Sequence, residues 1–481
     1  MIRVKSVFVA GGLSATLATL LTLLLLSANY LSALLPRQPI HQKIEQAFAR
    51  GDLGDPVHLR TNTKQGAHQY NDCLILSMAS DDRPAPLLRA LSPVTPAEIP
   101  ENNPCLYLRM VSSGSPAVPL SPATFYHRYL HGQVAVTALL LQRFDLAGIR
   151  TFYDLFAFTI LIGLVGANLH FLRSSLLHIK GLPSEIQLQR ATRHGVLLLS
   201  SIIFLLFYGV QFYGMSLGHG PSDVVLYGYL LTATFVNFSD LSGRKSIAIH
   251  SAFGVFTAYF ELFTGGVPLG LSLIFICYGS LALGSRRFDI WWDACLAAGA
   301  FLCAFVIAVI TKLVVAGCVF GFHEVFANFA NQLQFWTEGD RIGVIAAAIA
   351  LAESSHYLGG GWRLLGAFML SLSGVAFVYS IVVLARRIRH GENWESPSLF
   401  VLAYMAIIVW YIVFRKHAAQ HNFFMIRISV GLIISSLALL AYVCRAQFGT
   451  LMKIAGGLAY AGGTPVSRSN PAEERSREFT T

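Results

Sequence analysis

Charge is what this sequence has least of. Asp, Glu, Lys and Arg make up 12% of its 481 residues, whereas AVILMFWYC make up 54%. A soluble protein carries roughly 25% charged residues, so a soluble globular enzyme is excluded, as are disordered and collagen-like chains. The seven cysteines include no CxxC pair and no Cys/His metal spacing, which excludes a disulfide scaffold and a zinc module. No GxxxxGK[ST] and no strand-linked GxGxxG occurs, so a nucleotide-sugar donor has no cradle. No internal repeat is visible, which speaks against transporters built on inverted repeats.

Long apolar runs are abundant. A membrane helix needs about 20 mostly apolar residues. Ten runs qualify or nearly so: 7–34, 151–171, 195–213, 224–239, 247–263, 267–284, 291–320, 364–384, 398–414 and 424–443. The first is too long for a signal-peptide core and has no small-residue cleavage site after it, so it reads as an uncleaved span. The net charge of +10 is spread in short clusters between runs. That placement orients a membrane protein and does not build a nucleic-acid groove. The connections 172–194, 240–246, 285–290 and 385–397 hold four, two, two and three basic residues, while 214–223 and 261–266 hold none. The expected fold is therefore an all-α polytopic membrane protein of about ten transmembrane helices, with both termini cytoplasmic.

The organisation follows from these runs. Residues 1–35 form the first span and 36–150 a long outer loop ending in an interfacial helix over 134–148. Spans two to seven occupy 151–320, a second outer loop 321–363, and spans eight to ten 364–443. A cytoplasmic tail covers 444–481, with 464–481 disordered.

Ionisable groups gather outside. Asp72, where the polar turn Gln69-Tyr-Asn-Asp72 meets an apolar run, reads as a general base for an acceptor hydroxyl or as a helix cap. Asp81 and Asp82 read as a solvated turn. In Phe125-Tyr-His-Arg-Tyr-Leu-His-Gly132, the tyrosines fit an interfacial belt, while His127, Arg128 and His131 fit a phosphate or sugar. Lys312, within span seven, either snorkels to the interface or meets a phosphate from the outer leaflet. Lys416-His-Ala-Ala-Gln-His421 places two His and a Lys in a short outer loop, and Arg427 follows. Without a nearby acidic ligand this set (Lys416, His417, His421, Arg427) reads as an anion site rather than a metal site. Cys73 and Cys105 are either bridged, worth about 3–4 kcal/mol, or two free thiols.

Over most of its length this arrangement resembles the membrane glycosyltransferase superfamily C, whose enzymes use polyprenyl-phosphate-linked sugars. The resemblance rests on the cytoplasmic start, the long loop after span one and the second outer loop after span seven. Gln69-Tyr-Asn-Asp72, Tyr129-Leu-His-Gly132 and Lys416-His-Ala-Ala-Gln-His421 are similar, more faintly, to arabinofuranosyltransferase-related members. One departure is that 36–43, beside span one, holds no acid. The resemblance implies a bacterial inner-membrane enzyme facing the periplasm. It implies Asp72 as base, and Lys312, Lys416, His417, His421 and Arg427 as holders of the donor phosphate. The expected partners are a polyprenyl-phosphate sugar donor, a glycan, lipid or protein acceptor and the bilayer, with no nucleic acid. No cofactor is required, and the outer acids leave room for a divalent metal. The alternative readings are a transporter or flippase for a lipid-linked or anionic sugar, and a polysaccharide ligase.

Overall fold

The computed structural model describes residues 2–54, 69–96, 103–112, 123–177, 184–260, 265–282, 289–338, 341–355, 358, 363–390 and 394–444. The polar tail, Glu261, Asp340 and parts of the basic connections 172–194, 285–290 and 385–397 lie outside them. The protein is a helical bundle carrying a small helical cap.

Among the described residues, each of the ten apolar runs lies mostly on helix. Six helical segments among the described residues are long and apolar enough to cross a membrane: Phe8–Ala33, Leu146–Leu176, Gln189–Phe207, Asp289–Phe320, Leu364–Arg389 and Ile426–Cys444. Gly266–Ala282 and Pro397–Val413 are apolar but shorter. The runs at 224–239 and 247–263 correspond to the helices Gly220–Phe235 and Gly243–Phe260.

Small and polar residues stitch the bundle, as expected where lipid offers no competing hydrogen bonds. A β-carbon on Gly254 would lie 2.2 Å from the Phe301 carbonyl oxygen, so glycine alone permits that helix approach. Ser251 donates to Ser14 Oγ at 2.8 Å, and Ser14 in turn to the Ala300 carbonyl at 3.0 Å. Asn168 joins Thr234 and His194, each at 3.0 Å.

The segment expected as the long outer loop has, in the parts described, an apolar core of its own around Ile40, Ile44, Cys73, Leu76 and Leu108. Helix Gln38–Arg50 turns Ile40, Ile44 and Ala47 inward, the i, i+4, i+7 stripe of an amphipathic helix. Gly51, at φ 73°, closes it in the left-handed region. Helix Gln69–Ser80 is buried on nearly every side and forms the centre of the cap. A two-stranded antiparallel sheet, Val94–Pro96 with Ala123–Phe125, pairs Val94 with Phe125; it is a small exception to the all-α expectation. The helix expected to lie at the interface occupies Gly132–Leu140, shorter than 134–148, because a turn follows and Asp145 caps the next helix through Gly148 N–H at 2.8 Å.

Of the two readings for Cys73 and Cys105, the structure has the bridge, with Cα atoms 5.0 Å apart. It closes a sequence separation of 32 residues, which in the chain-entropy picture is worth about 3–4 kcal/mol. Cys105→Ser should therefore lower the stability of the detergent-solubilised protein by that amount, read from chemical denaturation under non-reducing conditions; an unchanged midpoint would show that the bridge does not constrain the cap.

Candidate functional site

The segment Phe125–His131 is held from three sides. Asn29, near the end of the first helix, donates to the Leu130 carbonyl at 2.6 Å and accepts from Tyr259 Oη at 2.6 Å. Gln133 donates to the Phe260 carbonyl. Ser92 Oγ meets His127 Nδ1 at 2.8 Å. His131 sits at φ 62°, a left-handed conformation that costs a non-glycine residue about 1–2 kcal/mol. The fixed turn places His127 and His131 at the cap–bundle junction.

Lys312 comes to the same place. Its ammonium is buried and donates to the His127 carbonyl, and no acid among the described residues pairs with it. The snorkelling expected of a lysine near a helix end is therefore replaced by a cation turned into protein. On the far side of His127, Nε2 lies 3.5 Å from Glu324 Oε1, whose side chain is 61% exposed. Glu324 stands in the first turn of helix Phe322–Thr337, where the helix dipole favours a carboxylate.

The second cluster meets the first through a residue that the sequence did not single out. Trp336, at the end of that same helix, lies 6.2 Å from the Tyr129 ring and 5.3 Å from the His417 ring. His417 and His421 lie 4.7 Å apart, so the four-residue spacing does bring them together. Lys416 rests its ammonium over Phe335 at 3.7 Å, and Arg128 lies over Tyr126 at 4.9 Å. Tyr129, Trp336 and His417 are buried, whereas Arg128, Lys416 and His421 are half-buried at the rim. Among the described residues no group of three His, Cys, Asp or Glu is placed to hold a metal ion.

Two expected participants have geometries of another kind. Asp72 is fully buried in the cap. Arg150 donates to its Oδ2 at 2.8 Å, and Ser216 Oγ and the Leu217 N–H donate to its Oδ1, each at 2.8 Å. Burial pushes its carboxyl up from the usual range, while those partners pull it back. None of its contacts is with His127, Lys312 or Glu324. This is a carboxylate that braces cap to bundle, with no face turned to an acceptor hydroxyl. Arg427 likewise spends its guanidinium inside the protein. Its Nη1 meets both oxygens of Asp223 at 2.9 and 3.0 Å, and its Nη2 meets His219 Nδ1 at 3.1 Å. Tyr208 donates to the same carboxylate at 2.8 Å. A phosphate would have to displace Asp223, so Arg427 fits a structural ion pair rather than a donor-phosphate ligand.

His127 and His131 are both held below the ordinary imidazole value, first by burial and then by the Lys312 charge. Both rings are therefore neutral at pH 7. The consequence for stability has a definite sign. Between the depressed folded value and the unfolded value near 6.5 the unfolded chain binds more protons, so stability is present above 6.5 and is lost as pH falls. Thermal midpoints in detergent should drop between pH 7.5 and 5.5, and the drop should shrink in His131→Asn. A midpoint that rises on acidification would contradict the burial of these rings.

Compared with family models, with curated proteins and with solved structures, the chain matches none.

Proposed function

We propose that this protein is an integral membrane glycosyltransferase. It moves a sugar from a polyprenyl-phosphate donor to a cell-envelope acceptor at the outer face of a bacterial inner membrane. The topology belonging to this reading is ten spans with both termini cytoplasmic and the cap in the periplasm. The observation that carries it is the placement of two groups on either side of His127: a buried lysine with no acidic partner among the described residues, Lys312, and an exposed carboxylate 3.5 Å from the buried imidazole, Glu324. Displacement at an anomeric carbon needs both. A cation neutralises the departing phosphate oxygen, and a carboxylate takes the proton of the attacking hydroxyl.

In this reading Glu324 takes the role first expected of Asp72, and His127 positions it. Ser92 fixes the other ring nitrogen of His127. Lys312 supplies the phosphate counter-charge, and Arg128, Lys416 and His421 line the rim where sugar hydroxyls enter. No nucleotide site is required, because phosphate is already a good leaving group.

The test is mass spectrometry of lipid extracts and surface glycans from a deletion strain, complemented with wild type, Lys312→Met or Glu324→Gln. A polyprenyl phosphosugar should accumulate and a surface sugar disappear, with only wild type restoring both. A normal lipid pool in the deletion strain would defeat the transferase reading and put a carrier in its place.

A further inference from the structure

A small pocket of about 20 Å³ opens where the first helix meets the cap, lined by Asn29, Ser32, Arg37, Arg89 and His131 among others. Neither arginine was singled out by the sequence. Arg37 lies four residues beyond the end of helix Ile2–Ala33, about one turn past the span and thus at headgroup height. Its side chain is nine-tenths buried. One nitrogen, Nη2, reaches the Ser32 and Ala33 carbonyls, each at 3.3 Å, and Nε and Nη1 have no hydrogen-bond partner. Arg89 donates to the Ala33 carbonyl at 2.8 Å and the Asp81 carbonyl at 2.9 Å, leaving Nε without a partner. No ion pair among the described residues involves either guanidinium. The nearby Asp81 carboxylate is taken by Arg83 at 2.5 Å, and Asp82 is exposed. Burial, and after it the neighbouring Arg89 charge, pull the Arg37 pKa down to about 10 against the opposing pull of Asp82 and Asp81.

His131 gives the pocket its third polar wall. Its Nε2 donates to the Tyr126 carbonyl at 2.7 Å, so in the neutral ring Nδ1 carries a lone pair, and that atom is buried without a partner. An acceptor there matches an anion that also bears a hydroxyl. Beside the pocket, sharing Ser32 and Ala135 with it, runs an apolar groove of about 340 Å³ between the first helix and Gly132–Leu140. Ala28, Leu31, Leu35, Val136 and Leu139 line it.

We propose that this pocket binds the phosphomonoester headgroup of a membrane lipid, with its hydrocarbon chain in the adjoining groove. Arg37 and Arg89 hold the phosphate oxygens by charge-assisted hydrogen bonds. His131 Nδ1 accepts from the phosphate hydroxyl that a phosphodiester lacks. Lys312 does not line the pocket, so the site stands apart from the proposed transfer chemistry and does not depend on it.

Native mass spectrometry of the full-length protein tests this with three lipids of identical chains: phosphatidic acid, phosphatidylglycerol and diacylglycerol. Phosphatidic acid should be retained at least tenfold more tightly than phosphatidylglycerol, and diacylglycerol not at all. Arg37→Gln and Arg89→Gln should each weaken phosphatidic acid about tenfold. The comparison of lipids on wild type needs no variant to fold. Equal retention of the diester, or undiminished binding in both variants, overturns the proposal. Displacement of phosphatidic acid by micromolar inorganic phosphate would show a free-anion site and overturn the lipid assignment. A transferase that fails this test remains a transferase, and a carrier that passes it still carries the pocket.

Discussion

Replacing Asp72 by Asn should unfold the cap before it can inform on chemistry. The substitution leaves Arg150, itself 2% exposed, as a buried guanidinium without its carboxylate. Breaking a buried pair from one side costs about 3–5 kcal/mol, a large share of the stability of most folds. Loss of function in Asp72→Asn would thus mimic loss of a general base. The double variant Asp72→Leu with Arg150→Met separates the two readings, since volume-matched apolar pairs replace buried ion pairs at little cost or with a gain. Stability measured by denaturation in detergent should fall in the single variant and return in the double one, and transfer should return with it. A double variant that folds yet transfers nothing would restore Asp72 to the chemistry.

Arg427→Met should have an effect of similar size. It strands the Asp223 carboxylate inside the bundle with only Tyr208 to satisfy it, and the Arg427 stacking over the Tyr208 and Tyr213 rings at 4.8 and 5.2 Å is lost as well. A cost of about 3–5 kcal/mol follows, relieved when Asp223→Leu accompanies it. If Arg427 held the donor phosphate instead, the double variant would recover stability but show weakened donor binding at a raised KM. The expected result is a recovered melting midpoint and an unchanged KM.

Much of the architecture was legible because hydrophobic run length is a local property. The helices arise where the apolar runs lie, and the interfacial helix begins within two residues of its expected start. The bridge between Cys73 and Cys105 was one of two readings open to the only cysteines in a polar region. What stayed hidden is pairing across the chain. Asp72 and Arg150 are 78 residues apart, and Asp223 and Arg427 are 204 apart. A lone charge beside an apolar run looks the same whether it awaits a ligand or is paired with another helix. A signal was present even so: a charge at the end of an apolar run needs a partner, and Asp223 and Arg427 are each such a charge. Trp336 left no trace, because an aromatic in an amphipathic helix reads as ordinary packing. Arg37 left no trace either, because a lone arginine just past an apolar run reads as an ordinary interfacial charge.

The site cluster was half legible. Lys312 meets His127 through a hydrogen bond, Arg128 lies over the neighbouring Tyr126, and His417 reaches Tyr129 through Trp336. Glu324 was visible only as one of several outer acids. Its standing depends on the turn that aims His127 at it, and no local pattern encodes that turn.

The most direct measurement is a transfer assay with the purified protein in lipid nanodiscs, supplied with a polyprenyl-phosphate sugar and scored by release of the free polyprenyl phosphate. Wild type should release it, and Glu324→Gln and Lys312→Met should each fall by about 10²–10³-fold, the usual cost of one acid–base or electrostatic group, while both variants keep the wild-type melting profile. Full release by both variants, or none by wild type with any polyprenyl phosphosugar tried, would contradict the account.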